Sequence, residues 1–151
     1  MEHLSSVMSN VLPYDPGLLP TRPGPKPGQT LLLEVRGLPP VKTARQSIRN
    51  QKHPQYPSFV RLRKVAAISM AGRAWYFGPV RLRLTLFGPS RIERWSLNDH
   101  LGGVMDTLDG SSGQTFTYLP IIFQDDSQVC EAQARWVKGP EHSYRIEITF
   151  K

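Results

Sequence analysis

Cysteine is almost missing from this chain of 151 residues: Cys130 stands alone. A single thiol excludes an internal disulfide framework and a cysteine-rich zinc centre. Long apolar runs are missing too. Stretches such as Val65-Ala66-Ala67-Ile68 are far too short to cross a bilayer, so no membrane partner is expected. The N-terminus lacks the charged-then-apolar order of a secretory leader, which predicts a cytoplasmic protein, nucleoid-associated in a bacterial or phage setting. No internal repeat is visible. A Ser/His/Asp set and a phosphate-cradling loop are also absent, because Gly110-Ser-Ser-Gly113 follows a predicted helix where a phosphate loop would precede one.

The most telling scarcity is of acids in one half of the chain. From Arg36 to Arg94 there are thirteen Lys or Arg residues against one acid, Glu93, a net +12. From Trp95 to Lys151 four basic residues face eight acidic ones, a net −4. Residues 1–35 add −1, and the whole chain carries +7. A basic half suits phosphate binding by counterion release, and clustered carboxylates suit magnesium. Opposite charges paired across one soluble domain would give the same totals. Among polyanions, nucleic acid ranks first for such a basic stretch.

Residues 1–28 read as a Pro-rich flexible tail, with Pro13, Pro16, Pro20, Pro23, Pro25 and Pro27 among small polar residues. The ordered domain is expected over 29–151. Gln29–Val35 reads as a strand with Leu31, Leu33 and Val35 on one face, closed by Gly37-Leu-Pro-Pro40. A basic, turn-rich stretch runs to Pro57. Phe59, Leu62, Val65, Ala66 and Met70 then form a helical stripe from Ser58 to a stop at Gly72, with Arg61, Arg63 and Lys64 away from its centre. Val80–Leu86 alternates without a break, Arg81 and Arg83 facing outward. Ser96 to about Asp109 reads as a second helix with Ser96 and Asp99 in a capping box. Two strands close the chain, 128–138 and 143–150, with Cys130 expected in a buried row with Ala132, Ala134 and Trp136. The fold class is therefore α/β: a mixed β-sheet with two covering helices.

Two acidic clusters carry the candidate chemistry. One lies on the second helix, at Asp99, Asp106 and Asp109, with Asn98 and His100 alongside. The other is Gln124-Asp125-Asp126-Ser127, where adjacent carboxylates repel unless a cation or donors lie near. Ordinary turn chemistry explains an Asp-Asp-Ser just as well. If this pair met the N-terminal turn of the helix, Mg²⁺ would bridge them. His53, His100 and His142 lack the spacing of a zinc motif and read as polar surface residues. Lys42, Arg45, Arg49 and Lys52 in the loop, with Arg81 and Arg83 on the strand, are the candidates for tracking DNA phosphates. A solvated strand face is the alternative for Arg81 and Arg83.

Met105-Asp-Thr-Leu-Asp-Gly110, Phe123-Gln-Asp-Asp-Ser-Gln-Val129 and Lys138, in that order, resemble the RusA-type Holliday-junction endonucleases. Upstream, Gly37-Leu-Pro-Pro-Val-Lys42 and Pro79-Val-Arg-Leu-Arg-Leu84 resemble that family's opening strand with its Pro-Pro loop and its second strand. The similarity spans about 30–150 and implies a RusA-like fold. It also implies a homodimer that binds four-way, branched DNA in recombination and repair, and Mg²⁺-dependent cleavage of two strands. Asp126 matches a metal-binding acid of the family. Ser96 and Asn98 stand where the family carries two further metal-binding carboxylates, and Gly102 where it carries a lysine.

Three readings follow from this pattern. The first is a RusA-like junction binder whose cleavage is lost or altered by those replacements. The second is a Mg²⁺-dependent endodeoxyribonuclease resolving Holliday junctions, with Asp126, Asp125 and Asp99 as its catalytic acids and Asn98 as a further metal ligand. The third is a catalytically inactive dimeric DNA- or protein-binding module on the same fold.

Overall fold

The computed structural model describes residues 20–42, 48, 51–90, 95–109 and 119–151. Its elements in chain order are β1 (Thr30–Arg36), α1 (Tyr56–Met70), β2 (Val80–Gly88), α2 (Leu97–Leu108), a single 3₁₀ turn (Asp126–Gln128), β3 (Val129–Lys138) and β4 (Ser143–Phe150). The four strands form one mixed sheet in the order β1-β4-β2-β3. β4 runs antiparallel to both β1 and β2, and β2 runs parallel to β3. This is the expected mixed α/β sheet with two helices.

Alternation in the strands decides which face is covered. Leu33 and Val35 from β1, Val80, Leu82, Leu84 and Leu86 from β2, and Tyr144, Ile146, Ile148 and Phe150 from β4 share one buried face. Leu62, Ala66 and Met70 of α1 and Val104 and Leu108 of α2 pack on that face in a single core. The opposite face carries Arg81, Arg83, Arg135 and Arg145 with Glu131 and Glu147. No described element covers it.

β3 departs from the expected pattern. A register shift between Val80 and Arg81 pairs Val80 with Val129 but Arg81 with Glu131. The extra residue, Cys130, is left exposed, its thiol donating to Val80 O at 3.4 Å. Ala132, Ala134 and Trp136 pair with the inward Leu82, Leu84 and Leu86, but the expected row is not buried: on this edge strand Ala132 is exposed and Ala134 and Trp136 are half-buried.

α1 begins two residues before the expected Ser58. Pro57 lies in its first turn, where the missing N–H has no intrahelical partner to lose. The helix ends at Ala71, which takes a left-handed conformation (φ 51°), one residue before the expected stop. Arg63, expected away from the stripe, is 1% exposed. Its guanidinium donates to Thr107 O (3.2 Å) and Leu119 O (2.8 Å) and lies over the Phe59 ring. Three peptide-bonded segments are thereby tied together by one charged side chain.

Of the expected tail, residues 1–19 lie outside the described residues, as do 110–118, which include the glycine-serine loop. Residues 21–24 are held against the end of α1. Thr21 N and Arg22 N donate to Gly72 O, and Ala74 N donates to Arg22 O. The packed domain therefore starts before Gln29.

Candidate metal centre and basic surface

Asp106 and Asp109 lie three residues apart at the C-terminal end of α2, a spacing that aligns two side chains on one helical face. The chain that returns after the 110–118 segment is tied to the same helix end: Ile121 N and Ile122 N both donate to Leu108 O, at 3.3 and 3.2 Å. Arg63 grips it from beneath through the Thr107 and Leu119 carbonyls. A guanidinium there also complements the negative end of the helix dipole.

From that anchor the chain runs into the 3₁₀ turn. Gln128 fixes it with four hydrogen bonds. Its Oε1 accepts from Gln124 N (2.8 Å) and Asp125 N (3.1 Å), and its Nε2 donates to Tyr76 O and Gly78 O (both 2.8 Å). Asp125 Oδ1 accepts from Ser127 N at 3.3 Å, completing a capping box. The turn thus stands rigidly beside α2, and one carboxylate oxygen from each of Asp106, Asp109 and Asp126 falls within 4.8 Å of the others. Asp109 is buried, Asp106 half-buried and Asp126 exposed.

The electrostatics of this arrangement follow from like charge at short range. The Asp126 carboxyl is raised above its ordinary value, first by its hydrogen bond with Asp125, then by desolvation and by the charges of Asp125 and Asp106; Lys42 pulls it down. Asp125 moves the other way, held low chiefly by the Ser127 backbone N–H. A cation is present at the cluster: Lys42 Nζ lies 3.8 Å from Asp106 Oδ2. Three hard carboxylate oxygens within 4.8 Å of one another are donors of the kind a divalent cation takes, and the ammonium pairs with one of them, on Asp106. The residues present fit a divalent cation.

The predicted ligand set is only partly brought together. Asp125 and Asp126 are neighbours, but the helix residue they were expected to meet is different. Asp99 sits about two turns, roughly 10 Å, from Asp106 along α2. Its side chain accepts from Ser96 N (3.0 Å) while its own N–H donates to Ser96 Oγ (3.1 Å). That capping box is the one read from the sequence, and it holds Asp99 away from the cluster. Asn98, exposed in the same first turn, does not join it either. The correction has a topological cause: the returning chain bonds to Leu108 O, so the Asp-Asp turn meets the end of α2 and not its start. The signal available for Asp106 and Asp109 was their i, i+3 spacing at a helix terminus.

The basic candidates divide in the same way. Lys42, expected on DNA, points along α2 to Asp106. Lys52 is exposed in the loop before α1. Arg45 and Arg49 lie outside the described residues. Arg81 is half-buried, paired with Glu131 at 3.8 Å and donating to Thr149 Oγ1 at 3.4 Å. Arg83 is exposed on the uncovered sheet face, where a trough of about 390 Å³ is lined by Arg83, Thr85, Gln133, Arg135, Arg145 and Glu147.

Two of the three histidines expected at the surface are buried: His53 is 6% and His100 1% exposed. His100 Nδ1 donates to Pro39 O at 3.1 Å, which leaves Nε2 as a buried acceptor without a bond. Burial lowers the pKa of both rings. His100 therefore anchors the Pro-Pro loop to α2 and stands outside the carboxylate cluster. No membrane-crossing helix occurs among the described residues. No known protein family and no curated protein matches the chain.

Proposed function

We propose that the protein is a RusA-like, structure-selective DNA-binding protein whose Asp106, Asp109 and Asp126 hold Mg²⁺ for phosphodiester cleavage in branched DNA. The observation that carries this reading is the convergence of those three carboxylates within 4.8 Å beside a lysine. The sequence resemblance and the basic stretch between Arg36 and Arg94 support the choice of DNA. When bound, the ion supplies Lewis-acid stabilisation of charge building on the phosphate and eases deprotonation of the attacking water. The protein's own contribution is positional. Gln128 and Arg63 hold the turn and the helix end in fixed relation, so the carboxylates need no reorganisation. Asp125 serves the turn as its cap. Symmetric cleavage of a four-way junction needs two such clusters, which one pair of chains in a homodimer would provide. A protein of this kind works where DNA is, in the cytoplasm or at the nucleoid.

A second reading is favoured by the start of α2. Ser96 and Asn98 bring no charge, and Asp99 is committed to its cap, which suits a junction binder that does not cut. Substitution separates the two. Asp106→Asn and Asp126→Asn are expected to lower nicking of a four-way junction by at least about 100-fold, with junction affinity in Ca²⁺ retained. Nicking by Asp126→Asn at the wild-type rate would remove the assignment of the site. Absence of nicking in wild type, with junction-selective binding intact, would establish the second reading.

A further inference from the structure

On the sheet face that no described element covers, strand register sets the outward side chains in rows across all four strands. One row reads Glu34, Arg145, Thr85, Arg135, and the next reads Leu32, Glu147, Arg83, Gln133. Arg145 and Arg135 thus flank Thr85 on the strands to either side, each about 4.8 Å away along the row, and Arg83 stands two residues along β2, about 7 Å away. These four residues line the trough of about 390 Å³. Two of the guanidiniums are held through Nε. Arg135 Nε donates to Thr85 Oγ1 at 3.2 Å, and Arg145 Nε lies 3.4 Å from Glu34 Oε1 with its guanidinium over the Phe87 ring. Thr85 is only 6% exposed although it belongs to the uncovered face. Its hydroxyl accepts from Arg135, and its own proton has no acceptor among the described residues. Arg83 makes no ion pair among the described residues, although Glu147 is its direct neighbour on β4.

We infer that Arg83, Arg135 and Arg145, set around Thr85, clamp backbone phosphate of DNA, so that the open face of the sheet carries one arm of the branched substrate. This rests on the DNA reading proposed above and involves none of the carboxylates near α2. The trough holds three arginines against one acid, Glu147, and a phosphodiester supplies the negative charge that the face lacks. A guanidinium fork matches two phosphate oxygens at once. Arginines already oriented through Nε lose little further freedom when their terminal N–H groups bind. Arg81, the neighbour of Arg83 in the sequence pattern, is by contrast engaged by Glu131 and Thr149 and lies outside the trough. A second copy of the chain fits this face less well. Its apolar members, Leu32, Phe87 and Val137, stand at the rim of the grid, whereas a stable dimer interface is apolar at its centre.

The test uses the full chain and a fluorescent four-way junction in EDTA, with binding read by anisotropy over a range of salt. Arg135 and Arg145 are exposed, so replacing them leaves the core untouched. Arg135→Gln and Arg145→Gln are each expected to weaken binding about fivefold and to lower the slope of log affinity against log salt by about one. Glu147→Gln, which removes the acid from the trough, is expected to tighten binding about threefold. Lys64→Gln removes the same charge from the exposed side of α1, across the sheet, and is expected to stay within about twofold of wild type with its slope unchanged. Wild-type affinity and slope in both arginine variants, or an equal loss in Lys64→Gln, would overturn the inference while leaving DNA binding standing. A changed oligomeric state of the arginine variants in sedimentation would also overturn it, by making the face an interface between copies. Failure of the wild type to bind junction or duplex at low salt would remove the DNA reading itself, and this inference with it.

Discussion

Gly102 and Gly103 are adjacent on α2, and the structure predicts opposite consequences for filling them. An exposed helical glycine replaced by alanine gains about 1 kcal/mol of helix stability. At Gly102 the new methyl would stand 3.2–3.3 Å from the Lys42 side chain, which is free to give way. Gly102→Ala should therefore be neutral or stabilising by up to about 1 kcal/mol. At Gly103 the obstacle is backbone: the Pro40 carbonyl, with Val41 N 2.8 Å from the added carbon. Relief requires α2 and the loop to part, which strains the Lys42 N–Asp99 O and His100–Pro39 O bonds. Overpacking of this kind costs about 1–3 kcal/mol, and each weakened buried bond about 1 more. After the propensity gain, Gly103→Ala should destabilise by about 2–4 kcal/mol, a fall in Tm of roughly 6–16 °C for a domain of this size. Thermal and urea unfolding of both variants read the difference directly. Gly103→Ala equal to or more stable than wild type would refute the close docking of the Pro-Pro loop on α2, and with it the placing of Lys42 beside Asp106.

Three further outcomes follow from individual residues. Ala71→Gly should stabilise the protein by about 0.5–1 kcal/mol in urea unfolding, because Ala71 holds a left-handed conformation that glycine adopts without cost. Arg63→Met should destabilise by about 3 kcal/mol, since the apolar replacement leaves the Thr107 and Leu119 carbonyls without their donor. Stability should fall with acid below about pH 6.5. His53 and His100 are held neutral by burial, so the unfolded chain binds more protons than the folded one as pH drops through that range. His100→Asn should flatten the pH dependence of stability between about pH 7 and 5, where an unchanged slope would show that His100 does not contribute to it.

Much of the fold was legible because it depends on local alternation and caps. The unbroken Val80–Leu86 pattern and the Tyr144, Ile146, Ile148, Phe150 row each name their own buried face. Ser96 and Asp99 announce the start of α2 within four residues. What was not legible depends on partners distant in sequence. Arg63 reads as a surface residue until the chain at Leu119 folds back to offer it a carbonyl 56 residues away. Gly103 reads as an indifferent helix position until the Pro-Pro loop lies against it. Cys130 leaves its expected row because of one bulge between strands that sequence alternation cannot register. At the candidate site, Asp126 was read from its motif together with Asp99 and Asn98, whereas the structure sets it beside Asp106 and Asp109 at the other end of α2. The bonds from Ile121 and Ile122 to Leu108 O decide that end, and they form across a segment with no periodicity of its own.

The most direct measurement is incubation of the wild-type protein with a synthetic four-way junction and with a linear duplex of the same sequence, in Mg²⁺ and in its absence. The account predicts preferential junction binding and paired nicks that appear only with Mg²⁺. Equal binding to junction and duplex, with neither cut in Mg²⁺, would contradict it.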